Sequence, residues 1–151
     1  MRVLILGCLL LAACGGDSPS SPSDSTPLRL TASISQAVLQ PGDVATLTFR
    51  LENTGASAVT LQFPSACHVL PYIATPSGTL VYPVNGWSCA QVITSLTLAP
   101  GENREERLRV TTGPSPMSSA YGLPAGQYVG YARVDASSLV LQSERVAFTV
   151  R

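Results

Sequence analysis

The sequence contains no lysine, only one histidine, and few charges of either sign. Charged residues make up 12% of its 151 positions, about half the usual share. Nine arginines balance nine acidic residues, so the formal net charge is zero. Without a basic surplus no face is expected to neutralise a phosphate backbone, and no nucleic-acid partner is expected. A single histidine leaves His68 as the only imidazole base for a Ser-His-Asp or Cys-His site. It stands next to Cys67, and neighbours on one strand point to opposite faces. There is no Gly-x-Ser-x-Gly elbow, Walker loop, dinucleotide fingerprint or calcium loop. No catalytic residues and no cofactor are therefore expected. The 12 prolines and 12 glycines interrupt most long helices, while 45% hydrophobic residues are too many for a disordered chain.

What is present begins with an address. One positive charge, Arg2, precedes an apolar run that ends in Leu11-Ala12-Ala13-Cys14. The run is too short to span a bilayer, which takes about 20 apolar residues, and has the layout of a secretory signal. Its ending resembles a bacterial lipobox, which implies that residues 1–13 are removed and Cys14 is lipidated; the alternative is an ordinary signal peptide with Cys14 incidental. A single acyl chain holds only marginally, so two or more are needed. Gly15 follows Cys14 where an Asp often marks inner-membrane retention, which favours the outer membrane in a Gram-negative host. Residues 14–27 have no large apolar side chain and are expected to be a tether reaching at most about 40 Å.

From Leu28 onward the hydrophobic period is two. Leu47, Phe49 and Leu51 alternate with Thr46, Thr48 and Arg50; Val146, Phe148 and Val150 do the same near the C-terminus. Turn signals recur at Gln40–Asp43, Asn53–Gly55, Thr75–Gly78 and Ala99–Glu102. The pattern predicts an all-β fold for residues 28–151: an Ig-like antiparallel β-sandwich of about 8–10 strands. Gly113–Gly122 is expected to be a loop and Gln91–Leu98 a strand. Glu102–Leu108 and Pro116–Tyr121 are the weak helical candidates, the first also fitting a strand.

Cys8 lies in the signal run, so Cys67 and Cys89 remain as a pair in an exported domain, where disulfides persist. A disulfide closing their loop of about 23 residues is worth about 3 kcal/mol in the chain-entropy picture. A zinc site from Cys67, His68 and Cys89 lacks a fourth ligand and the usual CxxC spacing. Glu105 and Glu106, between Arg104 and Arg107, suit a solvated face with ion pairs better than a carboxylate pair for glycoside hydrolysis. Trp87, in Asn85-Gly86-Trp87-Ser88-Cys89, either packs on the disulfide or stands exposed as a loop anchor. Tyr128, after Leu123-Pro124-Ala125-Gly126-Gln127, resembles the Ig-type tyrosine whose hydroxyl bonds back to the backbone.

A lead strand pair ends in Leu51-Glu52-Asn53-Thr54-Gly55, and a Val59–Phe63 strand follows. Next come an aromatic-bearing middle near Trp87 and Gln91, the turn Leu98-Ala99-Pro100-Gly101-Glu102, and the strand start Leu123–Tyr128. Together these resemble the BsuPI-type intracellular proteinase inhibitor domain, over about Leu30 to Val150. The resemblance implies an Ig-like module that binds a proteinase. The chain departs from that family in its export signal and its Cys67/Cys89 pair, which puts the proteinase target in doubt; no reactive-site residues carry over. Two expectations follow. One is a lipoprotein of the cell envelope, held in the membrane through Cys14, whose domain binds and inhibits a proteinase through an exposed loop, Val84–Ser88 or Gly113–Gly122. The alternative is a structural or assembly lipoprotein that binds another envelope protein through its edge strands.

Overall fold

The computed structural model describes residues 26–113 and 120–151. The signal run, Cys14 and nearly all of the tether lie outside the described residues. Twelve strands are present: β1 (Leu28–Ile34), β2 (Val38–Leu39), β3 (Val44–Asn53), β4 (Val59–Phe63), β5 (Leu70–Ala74), β6 (Leu80–Tyr82), β7 (Thr94–Leu98), β8 (Asn103–Thr112), β9 (Tyr121–Leu123), β10 (Gly126–Ala136), β11 (Leu139–Gln142) and β12 (Val146–Val150). No helix occurs among the described residues. One sheet runs β1-β3-β8-β9; the other runs β2-β12-β10-β5-β6, with β11 also on β10. β4 and β7 form a separate antiparallel pair. The fold is an Ig-like all-β sandwich, as the alternation predicts.

The two inner faces meet in one core. Leu28, Leu30, Ala45, Leu47, Phe49, Leu51 and Val110 bury from the first sheet; Ile73, Tyr128, Ala132, Val134, Phe148 and Val150 bury from the second. Leu61, Phe63 and Leu98 of the β4–β7 pair join the same cluster. The two sheets come into close contact at Gly130. A Cβ there would sit 2.7 Å from a Leu47 methyl, so any side chain at this position in β10 would push Leu47 aside. Asn53, fully buried at the end of β3, ties three segments together. Its side-chain amide donates to the carbonyls of Ser57 and Leu98 at 2.8 and 2.9 Å, and its Oδ1 accepts from the Gly55 N–H at 3.0 Å. Just before β1, the Pro27 carbonyl accepts from both the N–H and the hydroxyl of Thr54 at 2.7 and 3.0 Å.

Several elements differ from the sequence reading. The strand count exceeds ten because β2, β9 and β11 are too short to show an alternating pattern of their own. β2 and β9 also join by parallel pairing, to β12 and β8, so distant chain sets their conformation. Residues 121–122 of the expected loop therefore belong to strand β9; residues 114–119 lie outside the described residues. The helical alternative at Glu102–Leu108 is replaced by β8, where every residue from Asn103 to Thr111 pairs with β3. Gln91–Ile93 do not join β7, which begins at Thr94.

Candidate functional site

Between β6 and β7 the chain leaves the sheets for eleven residues, Pro83–Ile93. Cys89, within this segment, is joined to Cys67, which precedes β5; the two Cα atoms are 5.7 Å apart. The bond uses up both thiols, so neither is available as a metal ligand or nucleophile. Beside it, the Ala66 N–H donates to the Ala90 carbonyl at 3.0 Å, and the Val92 N–H folds back to the same oxygen at 2.9 Å. The far end is pinned at Thr94. Its hydroxyl donates to the Ser65 carbonyl at 2.8 Å and lies 2.9 Å from His68 Nε2. With the hydroxyl proton committed to Ser65, His68 must be the donor, which assigns the Nε2–H tautomer. The imidazole also packs on Phe63, at 4.5 Å between ring centres. Burial, and to a lesser extent the Arg104 guanidinium, hold the His68 pKa below its ordinary value. His68 thus anchors the base of the segment in its neutral form.

This anchored segment presents apolar side chains to solvent. Ile93 is 79% exposed, Val84 71% and Val92 52%. Leu80, at the start of β6, is 45% exposed. The chain around them carries no charge: from Asn53 to Gly101 there is no Asp, Glu, Lys or Arg. Isolated surface hydrophobics are ordinary; several on one uncharged segment make it the candidate contact surface.

An aromatic strip supports the segment from beneath. Tyr72 and Tyr131 stack at 5.2 Å on the outer face of the second sheet, and the Arg145 guanidinium lies 5.1 Å over Tyr131. Trp87 sets its edge against Tyr72 at 6.2 Å and Tyr82 at 5.5 Å; Tyr82 meets Tyr121 at 4.9 Å. The Tyr121 hydroxyl donates to the Val81 carbonyl at 2.9 Å, so β9 of one sheet is fastened to β6 of the other. Burial pushes the Tyr72 and Tyr82 hydroxyls above their ordinary pKa. Trp87 is half-buried among these rings rather than free at a loop tip. Its indole nitrogen is buried without a well-formed hydrogen bond, although its closeness to the Tyr72 hydroxyl slightly offsets the rise in that pKa. Trp87 also lines a cleft of about 160 Å³ with Cys67, His68, Arg104 and Glu106.

The remaining sequence candidates are dispersed. Tyr128 is buried in the core, and its hydroxyl donates to the Pro124 carbonyl at 2.9 Å; burial raises its pKa. Glu105 pairs with Arg107 at 2.7 Å on a solvated face, but the charged run is split: Glu106 turns with Arg104 toward the cleft at the sandwich edge. Cys14 lies outside the described residues, as does most of the Gly113–Gly122 loop. The candidate loop Val84–Ser88 is one part of the Pro83–Ile93 segment; Val92 and Ile93, which fit a strand pattern in the sequence, lie in it as well, since β7 begins at Thr94. The absence of charge from Asn53 to Gly101 was the legible signal.

Among solved structures, this chain is similar to the Pseudomonas fluorescens alkylpurine DNA glycosylase AlkC, with 17% identity and a TM-score of 0.45 over 83% of this chain and 30% of that one. It is similar to the CARDB domain of the Pyrococcus furiosus PF1109 protein, with 18% identity and a TM-score of 0.46 over 83% and 90%. The Bacillus subtilis sporulation control protein Spo0M gives 12%, 0.45, 83% and 49%. No curated protein matches the sequence. A family profile does match, over residues 32–136, from β1 to the end of β10. Its description is BsuPI, intracellular proteinase inhibitor, and by that match over most of its length the chain belongs to the BsuPI family.

Proposed function

We propose that this chain is a proteinase inhibitor held at the bacterial cell envelope by lipid on Cys14. It acts by binding and not by chemistry of its own. The observation that carries the reading is a family match to a proteinase inhibitor together with an apolar segment fastened at both ends. A binding segment fixed beforehand loses little conformational entropy on association, which is where tight inhibitors gain affinity. The lipobox ending Leu11-Ala12-Ala13-Cys14 and the following tether support the anchor. The test uses purified full-length protein against serine, cysteine and metalloendopeptidases. Inhibition of at least one at micromolar concentration or tighter is expected; full activity of every class would contradict the reading. For the anchor, Cys14→Ser should move the protein from the membrane fraction to the soluble fraction. Retention of the variant in membranes would refute lipid attachment at Cys14.

One observation favours a second reading. β7 pairs with β4 alone, so its other edge has no strand partner among the described residues. Such an edge can accept a strand from another protein, as an envelope assembly factor would require. Crosslinking in intact cells separates the two: a non-proteolytic envelope protein captured through β7 supports assembly, and a captured proteinase supports inhibition.

A further inference from the structure

We infer that Ala90–Ile93 is the part of this surface that enters the proteinase cleft, with the Ile93 side chain filling an apolar specificity pocket; this rests on the inhibitor reading above. Three observations single the segment out. Ile93 is the most exposed large hydrophobic side chain among the described residues. Its backbone is held on both sides, by the disulfide and the Ala66–Ala90 hydrogen bond before it, and by the Thr94 bonds to Ser65 and His68 after it. Val84, the next most exposed, lies in the turn directly after β6, five residues before Cys89 and outside the stretch between the disulfide and Thr94.

The chemistry of the segment then defines the partner. Ala90, Gln91, Val92 and Ile93 carry no charge, and the nearest charged residues along the chain are Glu52 and Glu102. An endopeptidase whose pocket holds a carboxylate, as trypsin-type enzymes do, would leave that charge buried and unpaired against Ile93. A pocket lined by apolar groups, sized for a branched aliphatic side chain, gains from burying it. The partner class is therefore an endopeptidase that cleaves after or beside uncharged aliphatic residues.

The test compares full-length wild type with Ile93→Asp, Ile93→Arg and Val140→Asp. Val140 is also exposed but lies on β11, so it controls for adding a charge to an apolar surface position. The enzymes are an elastase-type and a trypsin-type serine endopeptidase, and melting curves check that each variant folds. Expected results are inhibition of the elastase-type enzyme by wild type, a loss of about 100-fold in Ile93→Asp, and a change within about threefold in Val140→Asp. Ile93→Arg should lose the elastase-type enzyme and gain the trypsin-type one. Wild-type inhibition that survives unchanged in both Ile93 variants would overturn this assignment alone. An equal loss in Val140→Asp would also overturn it. Inhibition of neither enzyme by any variant would overturn the apolar-pocket partner; if the wider set of proteinases in the first test is also untouched, the inhibitor reading falls with it.

Discussion

His68 shows how one side chain can couple solution conditions to the binding segment. Its folded-state pKa lies below the ordinary value of 6.5, so between those two values the unfolded chain binds more protons than the folded one. Stability is then complete above about pH 6.5 and declines as pH falls through the folded pKa. A melting temperature measured at pH 7.5 and 5.5 should drop at the lower pH. His68→Gln, which keeps a side-chain N–H for Thr94, should flatten that slope; an unaltered slope would exclude His68 as its source. Asn53 is a second residue whose role comes from position. Asn53→Ala leaves the Leu98 carbonyl and the Ser57 carbonyl without their donor, each worth about 1–3 kcal/mol if buried and unpaired. Chemical denaturation should show a loss of at least about 2 kcal/mol. Gly130→Ala should cost about 1–3 kcal/mol by forcing Leu47 aside. A turn signal marked Asn53 in the sequence, but its burial depends on β4 and β7 returning over it, which no local pattern records.

The strands that alternate over ten residues, β3 and β10, were legible because each presents four inward apolar side chains to one core. β2 and β9 were not, since two- and three-residue strands hold their shape through parallel partners far away in sequence. The Pro83–Ile93 segment was only partly legible. Val92 and Ile93 fit strand propensity, and the disulfide at Cys89 together with the Ala90 backbone bonds keeps them out of the sheet. The same disulfide sets the stability of this element. Reduction, or Cys89→Ser, should lower the unfolding free energy by about 3 kcal/mol, read from denaturant midpoints with and without reductant. An unchanged midpoint with two free thiols would contradict a structural disulfide. Inhibition should weaken in parallel, because the segment would then be clamped at one end.

For the whole molecule, charge is distributed unevenly although it sums to zero. All of the acidic and arginine residues lie before Asn53 or after Gly101, so the proposed Ala90–Ile93 contact is made by uncharged side chains. Association should then depend little on ionic strength: the on-rate measured at low and at high salt should agree within about threefold, whereas a steered complex falls steeply. The sandwich, the lone histidine and the cysteine pair were readable from composition and period two. The exposure of Ile93 was not, because it depends on the disulfide and the Ala66–Ala90 bond that hold its segment off the sheets. Entry into the cleft is checked by titrating the purified protein against one inhibited proteinase in two forms, with its active site open and with it covalently blocked. A 1:1 complex with the open enzyme and none with the blocked enzyme is the predicted result. Equal binding to both forms, or to neither, would contradict an inhibitor that works by entering the cleft.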